Sequence, residues 1–218
     1  KVKFIFFGLF HALIIIFFFI AIKLINTATA VILLYAGAIY LVIFSAIFLR
    51  EKIEKITLIS LVISFLGIVL IFFNENLRLN LKGYLAGFLA GFFMSLVFLI
   101  GKILSKEYDK MTMTFVQNLI ALPLMLPLLF LIRFNWNIAN LFTLVFLGIF
   151  CTAIAFLLLY SGMKQVKGQK VGILLLLEIA TPIFIGLVFL KDIPSLREIL
   201  GGFLVLIGYI LLIIFSKE

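Results

Sequence analysis

Charge is what this sequence has least of. Only 12% of its 218 residues are Asp, Glu, Lys or Arg, about half the share of an ordinary soluble domain. So few charges cannot cover a water-facing surface. A single cysteine, Cys151, excludes an intrachain disulfide. A single histidine, His11, excludes an ordinary zinc site built from several of them. No G-x-x-x-x-G-K-[ST] loop is present to cradle phosphates, so this chain holds no ATP-driven pump, and no H-E-x-x-H is present either. "SGMK" (161–164) fits the S-x-x-K nucleophile pattern but has none of its companion motifs, and is read as coincidence. No cofactor and no metal are expected.

What fills the space is apolar. Hydrophobic residues make up 66% of the chain. Charge-free windows run 4–22, 24–49, 56–74, 83–101, 111–132, 134–163 and 199–216, and 171–190 is interrupted only by Glu178. About 20 apolar residues span the hydrocarbon core of a bilayer as a helix. Barrel strands alternate polar and apolar, and these windows do not. The expected fold class is all-α: a polytopic membrane bundle of eight transmembrane helices.

The eighteen bases against nine acids invite a nucleic-acid reading. Their positions argue against it. Assigned alternately to two sides, the loops and ends put twelve bases on one face, nine in 50–55, 102–110 and 164–170 and three at the chain ends (Lys1, Lys3, Lys217), and six on the other. Basic short loops mark the cytoplasmic side, so both chain ends read as cytoplasmic and no nucleic-acid partner is needed. Lys1, Lys3, an apolar run and Ala28-Thr29-Ala30 imitate a signal peptide. The run is longer than such a segment's apolar core of about 7–15 residues, and Lys23 interrupts it.

Shifting the sequence by 141 residues aligns 8–73 with 149–214 without a gap, with nine identities in 66 positions. The polar landmarks carry the match: "FLRE" (48–51) falls on "FLKD" (189–192), Lys23 on Lys164 and Gly67 on Gly208. Small residues recur at matched offsets: Ser60 and Gly67 after Glu51, Gly201 and Gly208 after Asp192. Seven residues are about two turns, so each pair shares one helix face, and small residues let membrane helices approach closely. Two units follow: a partial repeat of three helices over 1–75 and a five-helix repeat over 81–217. The second unit opens with two helices that have no counterpart before Lys1, so roughly 60 residues, two helices by the length rule, are expected upstream. An odd number of helices inverts the second copy, the inverted-repeat plan of many secondary transporters.

These residues identify a resemblance. "FLREKI" (48–53) with Ser60 and Gly67, "FLKDIP" (189–194) with Gly201 and Gly208, "LKGYLAGFLAGFFMSLVFLIGK" (81–102) and "LLLLE" (174–178) resemble the drug/metabolite transporter superfamily, EamA type, along the whole chain. The resemblance implies two five-helix repeats with cytoplasmic ends, here helices three to ten. Where that family often has a proline in its fourth and ninth helices, this chain has Ala38 and Ile179, with Pro182 a turn later, so any kink should be displaced. Asp192 replaces the more usual glutamate.

Depth within the windows selects the candidate site residues. Glu178 lies eight residues from Lys170, about 12 Å along a helix and near the midplane. Thr181 and Pro182 share its face, and Pro182 frees a backbone carbonyl near it. An acid there can bind and release a proton or hold a cation; the plainer alternative is an interhelical hydrogen bond. His11 and its repeat mate Thr152 are candidates for proton relay or solute contact, against a structural hydrogen bond. Thr114, Gln117 and Asn118 form a polar stripe at i, i+3 and i+4, serving solute contact or interhelical glue. Ser95, Tyr35, Tyr40 and Tyr160 rank below these, since tyrosine is common at membrane interfaces.

The expected function is a secondary transporter of a small metabolite, amino acid-like or a related organic solute. Alternating access follows from the inverted halves and coupling through Glu178 from its depth, while export rather than import follows from the resemblance. Expected partners are a small-molecule solute, membrane lipid and, as an option, a second copy in a homodimer; the expected site is the cell (plasma or inner) membrane. A membrane-embedded enzyme or a non-transporting scaffold are the rival classes. An enzyme would need acid, base and nucleophile at one depth, and only Glu178 and His11 qualify.

Overall fold

Each of the eight charge-poor windows is helical where it is described. The computed structural model describes residues 2–25, 27–72, 80–129, 137–179 and 195–215. Thr181, Pro182, Asp192 and the "FLKDIP" stretch lie outside them. In hydrocarbon a backbone must satisfy its own hydrogen bonds, which a helix does within one segment. The helices are α1 (Val2–Leu24), α2 (Thr27–Tyr35), α3 (Gly37–Phe48), α4 (Lys55–Phe72), α5 (Leu81–Leu104), α6 (Lys110–Leu129) and α7 (Ile138–Phe146). A π-helix (Leu147–Ile154) carries α7 straight into α8 (Ala155–Met163). Then come α9 (Gly168–Leu176), a 3-10 turn (Leu177–Ile179) and α10 (Leu196–Phe215). No strand occurs among the described residues.

By length and composition, Val2–Leu24, Thr29–Phe48, Leu81–Leu104, Ile138–Met163 and Leu196–Phe215 can cross a membrane. Lys55–Ile71 is as apolar but shorter. The result is a polytopic helical membrane bundle.

Four helix starts carry their own side-chain caps. Asn80 accepts from the Gly83 N–H (3.3 Å), Asp109 from Met111 and Thr112 (both 2.9 Å) and Asn137 from Asn140 (2.8 Å). At α10, Ser195 and Glu198 form a capping box: the Glu198 carboxylate accepts from the Ser195 N–H (2.7 Å), and Ser195 Oγ accepts from the Glu198 N–H (3.3 Å).

Packing turns ordinary amphipathy inside out. On α4 the buried face holds Thr57, Ser60, Ser64 and Gly67 beside Leu61 and Ile68, while Leu58, Ile59, Val62 and Leu66 point outward. Lipid is as apolar as leucine, so leucine gains nothing by turning inward, and small residues line the helix contacts instead. Helix α4 packs most extensively against α10, whose inner face is Gly201, Val205, Gly208 and Leu212. A Cβ on Gly67 would sit 2.5 Å from the Gly201 carbonyl oxygen, and one on Gly208 2.7 Å from that of Ser60. Ser64 Oγ donates to the Val205 carbonyl at 3.5 Å. As numbers rise along α4 they fall along α10, so the two helices run antiparallel. The 141-residue shift equates Ser60 with Gly201, Ser64 with Val205 and Gly67 with Gly208, so the matched pair Ser64–Val205 meets at the centre of the seam and the small residues meet crosswise, Ser60 with Gly208 and Gly67 with Gly201.

Two clusters fill the interior around the candidate site. One joins α1, α3, α5, α6, α8 and α9 through Phe7, Leu41, Val97, Met113, Tyr160 and Val171. The other joins α3, α4, α9 and α10 through Val42, Leu61, Ile68, Ile173 and Val205.

Candidate functional site

A helix break and a helix end fall at positions matched by the 141-residue shift. The break falls at Ala36, between α2 and α3. The end falls where α9 stops at Leu176 and the chain tightens into the Leu177–Ile179 turn. The shift pairs Tyr35 with Leu176 and Ala36 with Leu177. No proline causes the break, which lies two residues before Ala38. It coincides with a close approach of α3 to α5: a Cβ on Gly37 would meet the Gly91 carbonyl oxygen at 2.5 Å.

The break and the helix end face each other. Tyr35 Oη donates to Glu178 Oε2 at 3.2 Å, across 143 residues of sequence. Tyr35 is half-buried, its ring packed against both interior clusters, and Glu178 is exposed. The acid in the middle of "LLLLE" thus turns toward a phenol of the other half. This pairing raises Tyr35 from the lower rank that its residue type suggests.

The other candidates divide into two groups. Gln117 is fully buried and accepts from Tyr160 Oη of α8, while its Nε2 has no partner among the described residues. Tyr160 stacks on Phe156 (5.6 Å between centroids), and His11 meets Phe156 edge-on at 5.2 Å. His11 and Gln117 therefore belong to one aromatic assembly joining α1, α6 and α8. The rest of the stripe turns elsewhere: Thr114, Asn118 and Thr152 line a groove of about 550 Å³ beside Phe115, Gly148 and Leu157. Their polar groups are bonded within their own helices. Thr114 Oγ1 donates to Lys110 (2.9 Å), Asn118 Nδ2 to the Thr114 carbonyl (2.8 Å) and Thr152 Oγ1 to Leu147 (3.1 Å). The last bond spans five residues, the period of the π-helix. Within the stripe only Gln117 bonds to another helix, while Thr114 and Asn118 bond within α6. Thr181 lies outside the described residues.

Sequence reasoning left two charged residues without a role. Lys102 is buried on α5 and its Nζ donates to the Met163 carbonyl at 2.5 Å, at the negative end of α8. Glu51 accepts from the Gly168 N–H (2.9 Å) and the Gln169 N–H (3.2 Å) at the start of α9. Glu51 had a visible sign in "FLRE", but the motif does not say what the acid reaches.

The model of the EamA-like transporter family matches residues 2–73 and 81–214. Two Archaeoglobus fulgidus proteins, each described as an uncharacterized transporter, are 29% identical over 186 residues and 26% over 191. Those matches cover 84% and 88% of this chain, and 67% and 68% of the relatives. An uncharacterized transporter of Clostridium kluyveri is 23% identical over 200 residues, covering 85% of this chain and 63% of its own. A crystal structure of another protein, 21% identical, shares the fold with a TM-score of 0.81 over 98% of this chain and 77% of that one.

Proposed function

Because the chain belongs to the EamA-like transporter family, we propose that it moves a small organic solute by alternating access between two inverted halves, with Glu178 as the coupling group. The halves are residues 1–75 and 81–217. Amino acid-like solutes, export, and a cell membrane with the chain ends on its cytoplasmic side complete the reading.

The hydrogen bond between Tyr35 and Glu178 carries the proposal. Transporter sites form where discontinuous helices of two repeats meet. Here the break and the helix end occupy matched positions, and each contributes one partner of the only bridge that Glu178 makes among the described residues. A carboxylate held by one phenol keeps accepting capacity for a proton or a cationic group of a solute. The antiparallel course of α4 and α10 supports inversion, since matched helices run in opposite directions.

An embedded enzyme loses ground on geometry as well as on family. His11 sits against Phe156 and Glu178 against Tyr35, so acid and base enter separate contacts.

The test is flux in proteoliposomes of the full-length protein, with a panel of amino acids as solutes and an imposed pH gradient. The wild type is expected to show gradient-driven solute flux and Glu178→Gln to lose the gradient dependence. Full gradient-dependent flux in Glu178→Gln would remove Glu178 from the mechanism.

A further inference from the structure

We infer that Glu51 is a gating residue: its carboxylate closes the basic face of the transporter by capping α9 from the opposite half, and its release opens that face. The inference rests on the alternating-access reading above.

Helix α9 takes its cap from a distant part of the chain. Where α5, α6, α7 and α10 begin with their own Asn, Asp or Ser caps, α9 has Lys167 at the capping position and no side-chain cap of its own. Its first free N–H groups would otherwise point out of the helix unpaired. Glu51 satisfies two of them from 117 residues away, on Gly168 and Gln169. A negative charge is favoured there by the helix dipole, and hydrogen bonds to an ionised acceptor are the strong kind.

The rest of the corner holds the same three residues. Lys167 Nζ pairs with Glu54 at 2.9 Å, and Gln169 Nε2 donates to the Lys52 carbonyl at 3.0 Å. The corner itself is bent for the purpose. Arg50 adopts φ 55°, the left-handed region, and the Glu51 N–H returns to the Ser45 carbonyl at 3.3 Å. Only glycine fits where α9 meets α3, since a Cβ on Gly168 would lie 2.6 Å from Ser45 Oγ.

Three features mark this junction as a latch and not a permanent staple. Glu51, Glu54 and the Lys52 carbonyl all reach the start of α9 from the other half of the chain. The junction also grips the helix that carries Glu178 ten residues later, about 15 Å along the axis, so releasing the start of α9 frees the coupling group's own support. Finally, the closed junction is incompletely satisfied: Ser45 Oγ and Gln169 Oε1 are buried without a partner among the described residues. A gate must leave its closed state cheaply, and unpaired buried groups lower the cost of leaving.

Cysteine accessibility tests this without a known solute. In full-length protein freed of other cysteines and held in nanodiscs, Ser45→Cys reports the junction and Ser95→Cys, buried on α5, reports the rest of the bundle. Each is combined with Glu51→Ala, and alkylation by a membrane-impermeant maleimide is timed. The expected result is about a tenfold faster reaction at position 45, the population shift that one lost charge-assisted bond permits, with no change at position 95. Equal rates at position 45 in both backgrounds overturn the gate. Parallel acceleration at both positions also overturns it, since Glu51 would then be a staple of the whole fold. Because no flux is measured, a Glu178→Gln variant with normal coupling would refute the coupling group and leave this result standing.

Discussion

Two tyrosines donate to polar side chains of other helices, and burial decides what each bond is worth. Tyr160 points at Gln117 inside the bundle, where an acceptor that loses its donor costs about 1–3 kcal/mol. Tyr35 points at an exposed carboxylate, and a phenylalanine there costs about 0.5–1.5 kcal/mol at most. Thermal unfolding in detergent should therefore lower the Tm clearly for Tyr160→Phe and little for Tyr35→Phe, with coupled flux showing the reverse order. Asp109 behaves differently again. The Thr112 hydroxyl (2.5 Å) and then the Thr112 N–H hold its carboxyl below the ordinary carboxylate range. A group depressed in this way stabilises the start of α6 above its unfolded pKa, and that contribution is lost as pH falls through the folded one. Amide exchange at Met111 and Thr112 should accelerate only below the ordinary carboxylate range, and Asp109→Asn should remove that acid dependence.

At the scale of elements, the α4–α10 seam leaves no room for side chains where its glycines meet. Gly67 and Gly201 sit with each other's carbonyl oxygens where a Cβ would be. A leucine at position 67 cannot be relieved by a rotamer, because the obstacle is backbone. The variant is expected to lose about 1–3 kcal/mol from overpacking, read as a lower Tm in detergent. Leu66→Ala, one residue away on the outward face, should leave the Tm nearly unchanged. The Tyr35–Glu178 bond ties the break at Ala36 to the turn at Leu177, and the Glu51 cap holds α9 at its other end.

For the whole molecule, orientation is the property with the widest consequence, because it assigns the Glu51 junction to one side of the membrane. Twelve of eighteen bases fall on the face of the α3–α4, α5–α6 and α8–α9 connections. Lys106 lies on that face and Asn137 follows α6 on the other, and both are exposed. Single cysteines at these positions should separate cleanly in intact cells: Asn137→Cys reacts with an impermeant maleimide at once, and Lys106→Cys only after permeabilisation. The opposite pattern would place the Glu51 junction outside.

The number and approximate extent of the helices were legible in the chain itself, since hydrocarbon forces long charge-free windows into helices whatever their detailed order. The 141-residue shift, read from landmarks such as Lys23 and Gly67, marked Ser60 with Gly67 and Gly201 with Gly208 as close-packing faces, but not that the two faces pack on each other. Which polar groups would find each other was not legible. Tyr35 and Glu178 are 143 residues apart, and Glu51 and Gly168 are 117 apart. The stripe Thr114–Gln117–Asn118 shares one helix face by spacing, yet its members go to two different places. In a soluble helix the apolar stripe announces the inward face. Here apolar residues surround most helices, so the sequence carries no such mark, and inside and outside were decided only when the helices packed.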